Sequence, residues 1–133
     1  MRMIFINLPV EDVETARTFY AALGFTLNPM FSDERTASMV IEENIVVMLL
    51  RRDRFQDFVT GAISDARQST EVLNCLSAQS REEVDEMLAK ALASGGKPWQ
   101  PVMDQGPMYG ASFQDPDGHV WEVMHMDLPA VQG

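Results

Sequence analysis

The chain has 133 residues, with 10 Lys and Arg against 20 Asp and Glu, which gives a net charge of −10. This length suits one domain, or two small modules that share a core. A chain of this size buries about two-thirds of its unfolded surface, so it does not need disulfides or a structural metal to fold. The acidic balance argues against nucleic acid and anionic membrane surfaces as partners, because both would repel the chain.

Cysteine usage indicates a reducing compartment. Cys75 is the only cysteine, which excludes an intrachain disulfide and a Cys-rich zinc site. We therefore expect a cytoplasmic protein. Acidic residues directly follow a short apolar stretch at the N-terminus, so we expect neither a signal peptide nor a membrane span.

The first half of the chain predicts the element order β-α-β-β-β. A β-branched, apolar stretch over 3–10 predicts a strand. Apolar residues at spacings of three and four predict a helix over Asp12–Leu23, which Gly24 is placed to end. Further strands are expected over 25–30, 37–42 and 45–50, with a tight turn at Glu43-Asn44 between the last two.

The second half repeats this order. A strand is expected over 71–78, and Ser80 followed by Glu83 predicts the capped start of a helix. Strands are then expected over 99–103, 110–114 and 120–126. The stretch Asp115-Pro116-Asp117-Gly118 predicts a hairpin turn before the last strand, and turn chemistry alone accounts for its carboxylates.

An offset of 68 residues relates the two halves. It places Phe5, Leu8, Val10 and Asp12 on Leu73, Leu76, Ala78 and Ser80. We therefore predict an α+β fold in which two βαβββ modules form curved mixed sheets around a cleft. The predicted parts of this single domain over 1–133 are module 1 (1–52), a connector (53–69), module 2 (70–127) and a tail (128–133).

The connector is charged and weakly amphipathic, with one helical piece expected over 55–63. Whether it forms a lid over a site stays open at this point.

Three stretches carry a family resemblance: NLPVED over 7–12, FYAALGF over 19–25 and FQDPDGHVWEV over 113–123. Together they resemble the vicinal-oxygen-chelate superfamily, which includes glyoxalase I, extradiol dioxygenases, fosfomycin-resistance proteins and bleomycin-binding proteins. The resemblance covers nearly the whole chain. It implies the paired-module fold predicted above, but function varies across this fold.

The resemblance also implies where a metal would be bound. Metal-binding members place a His near the start of each module's first strand and a Glu on each module's last strand. The matching positions here are Phe5, Leu73, Met48 and Glu122, so one of four expected ligands is present. A catalytic zinc usually takes three protein ligands, and neither histidine of the chain replaces the missing ones. We therefore expect no metal and no cofactor.

Strand alternation predicts which side chains face the cleft. Phe5 and Asn7 share one face of the first strand, as Leu73 and Cys75 do in the second module. The predicted cleft is apolar with few polar side chains, which suits a small organic ligand. The candidate ligand-binding residues are Phe5, Asn7, Met48, Leu73, Cys75, Trp99, Met108, Tyr109 and Met124, and the candidate catalytic residue is Glu122.

Purely structural roles for the polar residues stay open. Glu122 could be paired with an arginine or with Tyr109 rather than with a ligand. Asn7 could satisfy backbone groups, and Cys75 could be a small buried apolar residue.

Three functions are compatible with the sequence. The pattern favours a metal-independent small-molecule-binding protein of this superfamily, acting by sequestration or sensing. The alternative is a glyoxalase- or lactoylglutathione-lyase-like enzyme that uses Glu122 as a base or as part of a divalent-metal site. A third is a protein whose cleft is filled by its own side chains. The resemblance implies a homodimer.

Overall fold

The computed structural model describes residues 1–127 of the chain, so the tail predicted over 128–133 lies outside the described residues. The chain is divided into two compact units, Met1–Asp65 and the part that begins at Ala66. Each unit contains one sheet. The predicted α+β class with two mixed sheets is confirmed, whereas the boundaries predicted for the connector stay a prediction.

The first unit holds a four-stranded sheet in the order β1-β4-β3-β2. Strands β1 and β4 are parallel, and the other pairs are antiparallel. The elements are β1 (Ile4–Val10), α1 (Val13–Ala22), β2 (Thr26–Leu27), a 3-10 turn (Pro29–Phe31), β3 (Thr36–Glu42), β4 (Ile45–Arg51) and α2 (Arg52–Gln56).

The second unit holds a five-stranded sheet in the order β5-β9-β8-β6, with β7 also paired to β8. Strands β5 and β9 are parallel, as β1 and β4 are in the first unit. The elements are β5 (Leu73–Ala78), α3 (Arg81–Ala93), β6 (Lys97–Pro98), β7 (Met103–Gln105), β8 (Met108–Gln114) and β9 (Val120–Met126).

Side-chain caps begin both long helices where the sequence predicts. Asp12 accepts hydrogen bonds from the Thr15 hydroxyl at 2.6 Å and the Thr15 amide at 3.1 Å. These bonds lower the pKa of the Asp12 carboxyl. Ser80 accepts from the Glu83 amide at 3.1 Å, and the Glu83 carboxylate accepts from the Gln79 amide at 2.7 Å. Free amides at the start of each helix are thus satisfied.

Each sheet has one face packed on its helix. In the first unit α1 packs against β3 and β4, and the strand residues on that face are buried: Leu8, Val10, Ala37, Met39, Val47 and Leu49. In the second unit Ala78, Ala111 and Val123 form a buried cluster with Val84 of α3. We call the opposite side of each sheet its open face.

Three predicted elements differ from the structure. Within 25–30 only β2 is a strand, because Asn28 caps the 3-10 turn and Pro29 occupies its first position. The strand expected over 99–103 is missing except for Met103, which begins β7, and Pro101 within that range lacks the amide that a ladder needs. The helix expected over 55–63 begins earlier and ends at Gln56.

No helix within residues 1–127 is both long enough and apolar enough to cross a membrane.

The predicted turn at 115–118 is held by a buried carboxylate. Asp115 Oδ1 accepts from the amides of Asp117 at 2.9 Å and His119 at 2.8 Å. Gly118 has φ +93°, and a Cβ there would lie 2.9 Å from the Arg67 nitrogen and 3.0 Å from the Ala66 carbonyl. The backbone of the connector therefore packs directly on this glycine.

Gly118→Ala should destabilise the protein by roughly 2 kcal/mol or more, because the left-handed backbone penalty and a backbone clash add together. The matched control is Gly24→Ala, where φ is +100° but no atom lies within 4 Å of the new Cβ. That variant should lose only about 1 kcal/mol. Urea unfolding measures both free energies, and equal losses would contradict the predicted contact.

Candidate functional site

The strand register places equivalent residues of the two modules in matching rows. On the open face of the first module, Asn7 pairs with Met48, which pairs with Ser38. On the open face of the second, Cys75 pairs with Glu122, which pairs with Ser112. Met48 therefore corresponds to Glu122 within the repeat, as the family resemblance implies.

The positions that correspond to the family's histidines lie two residues before these rows. Phe5 and Leu73 are 53% and 51% exposed and lie on the open faces of their sheets, and their role in ligand binding stays a prediction. Among residues 1–127, no three His, Cys, Asp or Glu side chains are grouped as a metal site would require.

A cavity of about 300 Å³ opens on the open face of the first module. A second cavity of about 390 Å³ adjoins it and shares three of its lining residues, Asn7, Leu50 and Phe58. The remaining lining residues are Met30, Phe31, Ser32, Asp33, Thr36, Met48 and Arg54 in the first cavity and Phe55 and Val59 in the second. We call the two together the first-module cavity.

The cavity has a buried floor and an exposed apolar rim. Leu50 and Thr36, neighbours across β4 and β3, are buried in the floor. Met30, Phe31 and Phe58 at the rim are 82%, 62% and 63% exposed. Such large apolar side chains around a concavity are typical of a ligand-binding surface.

Two polar side chains are fixed in this cavity. The Asn7 amide donates to the Phe5 carbonyl at 3.2 Å, which places its amide group over the floor. The Arg54 guanidinium lies 2.8 Å from the Asp57 carboxylate and 4.4 Å from the centre of the Phe58 ring. The wall formed by Phe58 is therefore held in place by a cation–π contact.

Sequence reasoning predicted Asn7 and Met48 but missed most of the lining. The period-two rule could have added Leu50, since it shares a face with Met48. The rim residues lie in the 3-10 turn and beyond α2, in segments predicted as a strand and as a connector. The connector does reach the open face, because α2 packs against β1 and β4.

The second module brings together Glu122 and Cys75. Partial desolvation, and then the negative charge of Glu122, raise the pKa of the Cys75 thiol. The thiol is exposed, so the alternative of a small buried residue at Cys75 is wrong. Met124 also lies on this face, where its sulfur covers Gly110.

Tyr109 is placed differently from the expectation. It pairs with His125 on the face packed against α3, and its hydroxyl donates to Asp85 at 2.6 Å. Tyr109 therefore neither shares a face with Glu122 nor pairs with it. Met108, the preceding residue of β8, lies on the open face, and Trp99 is a partly exposed residue after β6.

The two sheets and their repeated rows resemble the fold of the vicinal-oxygen-chelate superfamily. Residues 2–42 match the family described as bleomycin resistance protein-like N-terminal. The chain is 29% identical to a hypothetical protein from S. aureus, with 94% of each chain covered and a TM-score of 0.79. No curated protein matches the chain.

Two further solved structures share the fold. One is a glyoxalase/bleomycin resistance protein/dioxygenase family enzyme from Burkholderia phytofirmans, at 14% identity, with 95% of this chain and 99% of that chain covered and a TM-score of 0.77. The other is a fosfomycin resistance protein from Listeria monocytogenes, at 19% identity, with 97% and 96% covered and a TM-score of 0.70. The resemblance to the superfamily is confirmed.

Reaction of Cys75 with a thiol reagent should report the charge of Glu122. We expect a reactivity midpoint above the ordinary thiol pKa, and Glu122→Gln should lower it because a neighbouring negative charge no longer opposes the thiolate. Stopped-flow labelling across pH measures the midpoint. Glu82→Gln on exposed α3 removes the same charge elsewhere and should leave it unchanged, and an unchanged midpoint in Glu122→Gln would contradict the arrangement.

Proposed function

We propose that this chain is a metal-independent protein that binds a small organic molecule in the first-module cavity. The observation that carries the proposal is the row Asn7–Met48–Ser38, which offers an amide, a thioether and a hydroxyl where a metal-binding member would supply a carboxylate. Thioether sulfur is a soft ligand, unsuited to the hard divalent ions that oxygen donors hold.

The shape of the cavity supports the same proposal. Its floor is apolar except for Thr36, and its rim exposes two phenylalanines and a methionine. A methionine at the rim and another in the row would adapt to ligands of different outline. Asn7 would orient the ligand through the amide atoms that its bond to Phe5 leaves available.

The proposal predicts no stoichiometric binding of divalent ions. Calorimetric titration of chelator-treated protein with Ni²⁺, Co²⁺, Mn²⁺, Fe²⁺ and Zn²⁺ should give no saturable heat. A tight one-to-one site that Glu122→Ala abolishes would overturn metal independence, because Glu122 is the one family ligand retained.

The neutral fluorescent probe N-phenyl-1-naphthylamine should bind in the first-module cavity. Phe58→Ala should weaken its binding about tenfold, since it removes an aromatic wall that both cavities share. Phe58 is 63% exposed, so the variant should remain folded.

The control for this measurement is Leu92→Ala on α3, which shortens a 41% exposed apolar side chain that does not line the cavity. Fluorescence titration of the three proteins should separate Phe58→Ala from the other two. Equal binding by all three would place the probe elsewhere and contradict the proposal.

The enzyme alternative depends on Glu122. In this alternative the Glu122 carboxylate acts as a general base, and its neighbours in the row are Cys75 and Ser112. Turnover of a methylglyoxal–glutathione adduct that Glu122→Gln abolishes would favour this alternative over simple binding.

We also propose that the chain forms a cytoplasmic homodimer. Strands β1 and β5 lie at the edges of their sheets. β1 begins with the exposed apolar pair Ile4-Phe5, and the exposed Val72 directly precedes Leu73, the first residue of β5. Burial of such edges against a second copy would remove them from water. Sedimentation velocity measures the oligomeric state, and a monomer at micromolar concentration would contradict the homodimer. Cell fractionation measures whether the protein is cytoplasmic.

A further inference from the structure

The charges in the first-module cavity are not balanced. Two charged residues line it, Arg54 and Asp33. Arg54 is already paired, because its guanidinium lies 2.8 Å from the Asp57 carboxylate and stacks on Phe58. Its positive charge is therefore largely offset before any ligand arrives.

The Asp33 carboxylate is held by a backbone amide rather than by an ion pair. Its Oδ1 atom accepts the Arg35 amide at 2.8 Å, which fixes the side chain in a local turn. The ion pairs of Arg35 and Arg51 go to Asp53 instead. Among residues 1–127, no cationic side chain lies within 4.0 Å of the Asp33 carboxylate, and the Arg51 guanidinium attracts it only from a longer range. A negative charge thus remains in the cavity wall.

Aromatic faces lie beside this charge. Phe31, two residues before Asp33, and Phe58 are both more than 60% exposed at the rim. A cation over an aromatic face gains energy from the ring quadrupole, and a nearby carboxylate adds to that attraction. An anionic ligand would find no unpaired positive partner in the same wall.

We infer that the ligand of this cavity is a planar or aromatic organic molecule that carries a positive charge, such as an amine, amidine or quaternary ammonium group. This inference rests on the proposed function, because it names the ligand class for the same cavity. The cationic group lies toward Asp33, and the apolar part lies against Leu50, Phe55 and Val59. The net charge of −10 attracts such a ligand from solution.

The test compares three fluorescent aromatic probes of different charge. Thioflavin T is cationic, N-phenyl-1-naphthylamine is neutral and 1-anilinonaphthalene-8-sulfonate is anionic. Thioflavin T should bind more tightly than the anionic probe by at least about tenfold, and its affinity should fall as NaCl is raised. The neutral probe should show little dependence on salt.

Asp33→Asn is the informative variant, because asparagine keeps the oxygen that accepts the Arg35 amide but removes the charge. It should weaken thioflavin T binding about fivefold and leave the neutral probe unchanged. Glu43→Gln makes the same change in net charge in an exposed turn of the same module and should leave both unchanged.

The outcomes separate the two proposals. Selective loss of thioflavin T affinity in Asp33→Asn supports the cationic ligand class. Neutral-probe binding that depends on Phe58, combined with an unchanged thioflavin T affinity in Asp33→Asn or with equal binding of the anionic probe, overturns the ligand class and leaves the cavity as a binding site. Absence of Phe58-dependent binding by any probe overturns both.

Discussion

The parallel pairing of each module's first strand with its last strand sets the rest of the architecture. A parallel pair cannot be closed by a hairpin, so the chain must cross over, and in both modules a helix follows the first strand. That helix covers one face of the sheet. The other face remains open, and the register decides which side chains stand on it. Candidate site residues and core residues therefore alternate along the same strands.

The sequence predicts this frame well because its signals are local. Period-two alternation placed Phe5 and Asn7 on one face, and helix caps at Asp12 and Ser80 set both helix starts. The cavity itself escaped prediction because its rim is made by tertiary packing. Met30 and Phe58 lie in short irregular segments whose position depends on the sheet beneath them. Tyr109 was misplaced for a related reason. It directly precedes the strand predicted over 110–114 but is in fact part of β8, where alternation places it on the face that packs against α3.

The two rows differ in chemistry although their geometry is repeated. In the first module an amide and a thioether face a cavity with an aromatic rim. In the second, a carboxylate stands beside a thiol whose ionisation it opposes. A retained carboxylate in one module and a thioether in the other are compatible with recognition by shape and hydrogen bonding.

Both tryptophans of the chain, Trp99 and Trp121, lie in the second unit, and the first unit has none. Trp121 is 1% exposed and Trp99 is 37% exposed, so their emission maxima should differ and both should respond to the packing of that unit. Intrinsic fluorescence is consequently a spectroscopic readout of one half of the molecule. Far-ultraviolet circular dichroism reports on both halves, so the coincidence of the two unfolding curves measures whether the modules melt as a single cooperative unit.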